Sequence, residues 1–428
     1  MASELATTPP PVRPRGRVER GGKRRLSYPM ILLIIAGGLL LLSLVRALTD
    51  TGSLTDTRQW GSALGLAVPI GLAGLGGLWA ERAGVINIGL EGMMMLGLFA
   101  AGWIGWQYGP WAAVLAGIIG GLLGGLVHAV ATVTFGVDHI VSGVAINILA
   151  LGVVQFLAKL WFGEGEAAQA GGNDKQSPRM EEMPTFTVPG ISDALRSIAD
   201  QGWFLVSDTA GILGAAVTNV SWITLLAILL FVGTWWVLWK TPFGLRLRSC
   251  GENPVAGESL GVNVYLYKYI AVAVSGGLAG LGGAYLAVFI RMYQDGQTGG
   301  RGYLGLATMI FGNWRPGGVA MGAGLFGFMD ALQIRGGGPT VHGMLLLFAI
   351  ALAGLAVYQF IRNKRVAGTV SGVLAVLLFL WYSATDTMPL ELVTASPYIT
   401  TLLVLALFSQ HLRVPAAIGK SYRRGQGT

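Results

Sequence analysis

The sequence predicts an all-α, polytopic integral membrane protein of about twelve transmembrane segments, arranged as an inverted repeat of two helical halves. Three observations carry this. The 428 residues are 53% hydrophobic and only 12% charged, with a mean hydropathy of +0.62. Soluble domains carry about 25% charged residues, and half of that cannot solvate a globular surface. Glycine numbers 66, about twice the ordinary ~7% usage. Lipid gives helices no hydrophobic reason to associate, so small residues bring their backbones together instead. Finally, Gly-Leu-Ala-Gly-Leu-Gly-Gly occurs twice, at Gly71–Gly77 and Gly277–Gly283. The charge pattern sets its two copies in opposite directions, which points to two facing halves with a path between them.

A span needs about 20 mostly apolar residues. Residues 1–28 are Pro- and Arg-rich, and the apolar run after them has no small-residue cleavage site. They read as a basic cytoplasmic tail held near anionic lipid, and 29–47 as a retained first span. The tail has no folded nucleic-acid reader beside it, so nucleic acid is not an expected partner. Further spans read at 59–79, 86–106, 111–134, 139–162, 219–239, 268–290, 302–313, 317–334, 341–361, 367–385 and 396–410. The segment 302–313 is too short to cross alone and reads as a broken or re-entrant half-helix. Gly117, Gly121 and Gly125 recur every four residues, with Gly120 and Gly124 beside them; Gly318 and Gly322 repeat the spacing. These read as packing seams.

Orientation follows from Lys and Arg. With the N-terminus in the cytoplasm, twenty of the 29 basic residues fall inside, from the tail through Arg82, the 240–268 loop, Arg315, Arg362 and Arg365 to Arg424. The long outer loop, 163–218, carries eight acids against three bases. It opens on a glycine-rich stretch that reads as flexible. Ile191, Leu195 and Ile198 then fall at helical spacing, which predicts a short amphipathic helix on the outer membrane surface or a docking site for an extracellular partner.

The loop 240–268 is the most structured. Pro242 and Gly244 end the preceding span. Asn253 then reads as an N-cap, Pro254 as the first helical residue, and Gly261 as the C-terminal stop. A capped helix of roughly 10 Å, at ~1.5 Å per residue, is either an ordinary connector or a device for touching something in the cytoplasm.

Motifs favour the second. Phe243–Val262 (FGLRLRSCGENPVAGESLGV) resembles the coupling-helix loop of bacterial ABC importer permeases of the branched-chain amino acid, simple-sugar and nucleoside type. Glu81–Met94 (ERAGVINIGLEGMM) resembles the signature of the nucleoside members. Leu304–Gly318 (LGLATMIFGNWRPGG) resembles the matching segment of the second half, and Leu412–Arg424 (LRVPAAIGKSYRR) the family's tail. The resemblance covers about 59–334 and 396–424. It divides the chain into the tail 1–28, a permease core 29–334 with outer loop 163–218 and coupling loop 240–268, an extra helix pair within 335–395, and a last span with cytoplasmic tail at 396–428. It implies a multi-pass subunit in a bacterial plasma membrane with both termini cytoplasmic. It also implies a separate ABC ATPase carrying ATP and Mg, a second related permease, and an extracellular substrate-binding lipoprotein. Arg246, Arg248, Glu252, Asn253, Glu258 and Ser259 would then lie at or near the ATPase contact.

No catalytic set is visible. Gly419-Lys420-Ser421 mimics the end of a phosphate-binding loop, but Val414 stands where its first glycine belongs. The single Cys250 excludes an internal disulfide framework. The scattered His128, His139, His342 and His411 show no metal-ligand spacing. No cofactor is expected in this chain, and it does not read as an enzyme.

A substrate path belongs where helices are interrupted near the bilayer midplane. Glu81–Gly92 is such a segment, and Asp295–Gly302 is its second-half counterpart. Candidate pathway residues are Asn87, Glu91, Asn147, Arg301 and Tyr303. Glu91 on the first turn of a span suits either a helix N-terminus or a functional carboxylate. Asn87 and Asn147 are amides that suit hydroxyls or base edges, or that bridge helices. Tyr303, Trp314 and Met93–Met95 offer stacking surface, or core. Few intramembrane charges disfavour a strongly ionic substrate and an ion-coupled secondary transporter; Asp330 is the main exception. The resemblance implies nucleosides, with simple sugars or branched-chain amino acids as alternatives.

Overall fold

A computed structural model describes residues 28–396, 398–399 and 412–425. The first 27 residues and nearly all of the expected last span, 396–410, lie outside the described residues. The other expected spans are all helical. They begin with α1 (Tyr28–Thr49), α2 (Thr57–Arg82), α3 (Leu90–Tyr108), α4 (Pro110–Ala129) and α5 (His139–Phe162). Among the described residues eight helices are long and apolar enough to cross a membrane. Local chemistry sets the boundaries. Gly109, at φ +85°, makes the α3–α4 turn, and Pro110 opens α4. Asp138 caps α5 by accepting from the amides of Ile140 and Val141 at 2.9 and 3.0 Å.

The outer loop is more ordered than its composition suggests. It contains α6 (Gly165–Gln169), the expected amphipathic helix as α7 (Ile191–Ala199), and α8 (Val206–Ala215). The residues that follow the glycine-rich stretch are pinned: Ser177 and Met180 amides donate to Tyr293 and Arg291 carbonyls at 3.1 and 2.8 Å, and Asp295 N to Lys175 O at 2.8 Å. The reason is that the 291–295 backbone leaves a helix end and offers unpaired groups. Buried Asp208 of α8 joins Arg46 of α1 at 2.7 Å and Thr55 at 2.6 Å.

The chain continues through α9 (Trp222–Lys240), α10 (Pro242–Glu252), α11 (Pro254–Ser259), α12 (Val264–Ile290), α13 (Arg301–Phe311), α14 (Pro316–Ala331), α15 (Gly337–Ile361) and α16 (Arg365–Ala384). Pro242 does not merely end a span. Thr241 caps a new helix through the Gly244 amide, with Pro242 at its first turn, where proline's missing N–H is no loss. A core cluster joins α15 to α1, α2 and α14 through Val45, Leu66, Phe328, Val341 and Met344, and α16 lies on α15.

The two halves interlock. A Cβ on Gly76 would lie 2.6 Å from the Ser275 carbonyl, and one on Gly282 3.0 Å from that of Pro69. Residues rising on α2 therefore meet residues falling on α12, so the two heptapeptides face each other antiparallel. Their glycines make matching contacts across the repeat. Gly74 packs on Gly305 and Thr308 of α13, whereas its counterpart Gly280 packs on Gly117 and Gly121 of α4 and Gly97 of α3. Helix α2 of the first half is thus packed on α13 of the second, and α12 of the second on α3 and α4 of the first.

Candidate translocation site and candidate coupling surface

The third span starts at Leu90, later than its apolar run. Asn87 therefore lies in the non-helical connector 83–89 and not on a first turn. Backbone exposed inside a membrane must be satisfied by protein, and α4 and α5 supply the partners. The Ile86 amide donates to His139 Nδ1 at 3.2 Å, and His128 Nε2 meets the Ile86 carbonyl at 2.9 Å. His128 Nδ1 in turn meets Ser142 Oγ at 2.9 Å. An Nε2–H tautomer of His128 satisfies all three groups. Asn147 closes the other side: its Nδ2 donates to Ile88 O at 3.0 Å, and its Oδ1 accepts from the Gly92 amide at 2.7 Å.

The connector 291–300 mirrors this break, and the N-termini of α3 and α13 meet. Glu91 bridges them. Its carboxylate oxygens accept from the Gly300 amide at 3.0 Å and the Gly302 amide at 2.6 Å. A buried carboxylate is thereby neutralised by a helix N-terminus belonging to the other half. Gly302 must be glycine, since a Cβ there would sit 2.6 Å from Glu91 Cα. Asn147 Nδ2 also donates to Tyr303 Oη at 3.0 Å, with the Tyr303 side chain 47% exposed.

Four of the five expected pathway residues thus converge at this junction. Arg301 arrives paired, with Nε and an Nη on Asp330 at 3.0 and 2.6 Å. Asn87 sits apart, donating to Ser275 Oγ at 2.8 Å. Its Oδ1 is buried and accepts no hydrogen bond among the described residues. Trp314 is not a stacking surface: it is buried, and its indole donates to Glu81 at 2.6 Å. Met93 and Met94 are core. The histidines, Ser275 and Asp330 were not singled out by the sequence as members. A non-helical break in lipid demands such partners, but nothing in their spacing says which side chains answer.

On the face carrying the connector at Gly84, the coupling loop forms α10 and α11. Asn253 caps α11 through the Ala256 amide at 3.0 Å, and Gly261 stops it at φ +82°. Ser259 Oγ turns back to Ala256 O at 2.9 Å. Arg248 lies over the Trp239 ring at 5.6 Å, while Arg246 is exposed. Glu252 accepts from the Ala416 amide at 3.3 Å, and Glu258 accepts from the Tyr422 hydroxyl and pairs with Arg424 at 3.3 Å. Burial and then the bond to Glu258 hold the Tyr422 phenol above its usual range, so it stays a donor. The sequence did not mark Leu260, 84% exposed at the tip of the loop.

Residues 61–355 match the family described as branched-chain amino acid transport system / permease component. The chain belongs to this permease family. The permease is 39% identical over 278 residues to the guanosine ABC transporter permease protein NupQ of Bacillus subtilis, covering 63% of this chain and 80% of the relative. It is 35% identical over 280 residues to the nucleoside ABC transporter permease protein NupC of Lactococcus lactis subsp. cremoris, again 63% and 80%. No solved structure matches. The family match runs from α2 into α15 and so takes in both heptapeptides, both connectors and the coupling loop.

Proposed function

We propose that this permease carries nucleosides into a bacterial cell as one membrane subunit of an ATP-driven importer. The observation that carries the proposal is the Asn147–Tyr303 pair beside the Glu91-bridged helix ends. It offers a half-exposed aromatic face where the two inverted halves meet, without a free charge, and because Tyr303 Oη accepts from Asn147 its own O–H is left to donate. A nucleobase stacks on such a ring, and neutral hydroxyls and ring nitrogens accept from such a phenol. The unfilled Asn87 acceptor is a second contact further inward. The names of the relatives support the same substrate class. The Arg301–Asp330 pair neutralises the acid that most favoured an ion-coupled carrier.

ATP and Mg belong to a separate ATPase that docks on α10 and α11 through Leu260, Arg246 and Asn253. A second permease and an extracellular binding lipoprotein complete the assembly, and both termini of this chain are cytoplasmic. ATPase closure moves α11, and the halves rock about the α2–α12 contact, exposing the junction first outward and then inward.

The test is uptake by the complete transporter in proteoliposomes. Guanosine, leucine and glucose are compared, with ATP supplied or withheld. ATP-dependent uptake of guanosine alone is expected, with Tyr303→Leu raising its apparent KM. Uptake of leucine or glucose in its place, or uptake abolished by an ionophore while ATP is intact, refutes the reading.

A further inference from the structure

We propose that residues 412–425 are a strap that carries movement of α11 to the inner ends of both halves, with Tyr422 and Glu258 as its positioning residues. This rests on the reading of α11 as the coupling helix. The strap has no helix or strand of its own and takes its course from what it binds. The Arg413 amide donates to Asn313 Oδ1 at 2.7 Å, in the α13–α14 connector of the second half. The Ala416 and Ala417 amides donate to Glu252 and to the Gly251 carbonyl, 3.3 and 2.9 Å, at the end of α10. The Gly419 amide donates to the Gly84 carbonyl at 3.2 Å, in the α2–α3 connector of the first half. A Cβ on Gly419 would stand 2.9 Å from Ile86, the residue held by both histidines. The strap then reaches α11. Tyr422 donates to Glu258, Arg424 pairs with the same carboxylate, and Tyr265 donates to Tyr422 O at 3.4 Å. Lys268 at the foot of α12 lies 5.8 Å over the Tyr422 ring.

Arg82 already joins the two connectors by donating to the Trp314 carbonyl at 3.0 and 2.6 Å. The strap adds the coupling helix to that link. Its central contacts are backbone to backbone, so they act as tethers of fixed length. A displacement of α11 must then either drag the connectors or break the row of bonds.

The assembled transporter tests this, with substrate molecules imported per ATP hydrolysed as the readout. Tyr422→Phe removes the donor and keeps the ring. It is expected to lower that ratio about five-fold, the equivalent of one hydrogen bond, with ATPase co-purification and melting temperature unchanged. Tyr422→Phe with Glu258→Gln should be no worse than the poorer single variant, since both cut one link. Gly419→Ala disturbs the strap independently, at Ile86. Leu260→Glu touches the ATPase side alone. If it uncouples while Tyr422→Phe and Gly419→Ala keep the wild-type ratio, the strap is refuted and the coupling helix stands. If all three keep the wild-type ratio, the coupling reading falls and the strap with it.

Discussion

Gly121→Ala tests the interlocked halves directly. An alanine Cβ at this position in α4 would lie 2.3 Å from the Gly276 carbonyl and 2.5 Å from Gly280 Cα in α12. Comfortable carbon contacts begin near ~3.5 Å, so the two helices must part by about 1 Å. Both obstacles are backbone and cannot rotate away. Separation also loosens the Gly117–Ala284 and Gly125–Gly276 contacts on the same seam, because a gap of 0.5–1 Å forfeits roughly a quarter to a half of each contact's attraction. Overpacking of this kind costs about 1–3 kcal/mol. Gly152→Ala is the control, since nothing among the described residues lies within 4 Å of a Cβ there; alanine's better helix propensity can add up to about 1 kcal/mol. Thermal unfolding of the purified permease in detergent, followed by tryptophan fluorescence, should separate the two variants by several degrees. The repeat adds a second comparison. Gly74→Ala meets the Gly305 carbonyl at 2.8 Å and Gly280→Ala meets the Gly117 carbonyl at 2.2 Å, so both should destabilise, Gly280→Ala the more. If Gly121→Ala and Gly152→Ala melt together, the seam is not what holds the halves.

Three further outcomes are expected. Arg301→Met leaves Asp330 buried and unpaired and should cost about 3–5 kcal/mol; adding Asp330→Met should restore most of the melting temperature, and a double variant as unstable as the single would contradict the pairing. Glu91→Gln replaces an acceptor of two amides by a group with one carbonyl oxygen, leaving an N–H of α13 unsatisfied at about 1–3 kcal/mol; guanosine uptake should fall with stability, and wild-type values in both would remove Glu91 from the junction. Burial, opposed by Lys268, pushes the Cys250 thiol up to about 11 from 9.0. A thiol raised on folding favours the folded state fully below pH 9 and loses that preference as pH climbs towards 11. Native permease should therefore resist maleimide at pH 8 and lose stability more steeply above pH 9 than Cys250→Ala; rapid labelling at pH 8 would show the thiol to be open.

Much of this protein was legible before any coordinates. Hydropathy over about 20 residues locates spans because the bilayer imposes that length on any chain. Asn253, Pro254 and Gly261 bounded α11 because capping is local chemistry between neighbours in sequence. The doubled heptapeptide and the sign of the charges implied opposed halves. Asn87 was misplaced for a related reason: apolar composition continues through 86–89, and composition does not record where helical hydrogen bonding stops.

The sequence by itself determined the class, the spans that fall among the described residues, the capped helix α11 and the likeness of the two heptapeptides. These depend on neighbours, or on the membrane as a uniform solvent. Only the tertiary structure decided what each group faces. It put Gly280 against α4 and Gly74 against α13, set Glu91 over amides some 210 residues away, paired Arg301 with Asp330, and laid the C-terminal strap across both connectors. Those choices depend on which helices become neighbours. That is fixed by close packing summed over the whole assembly, and no short window of sequence contains it.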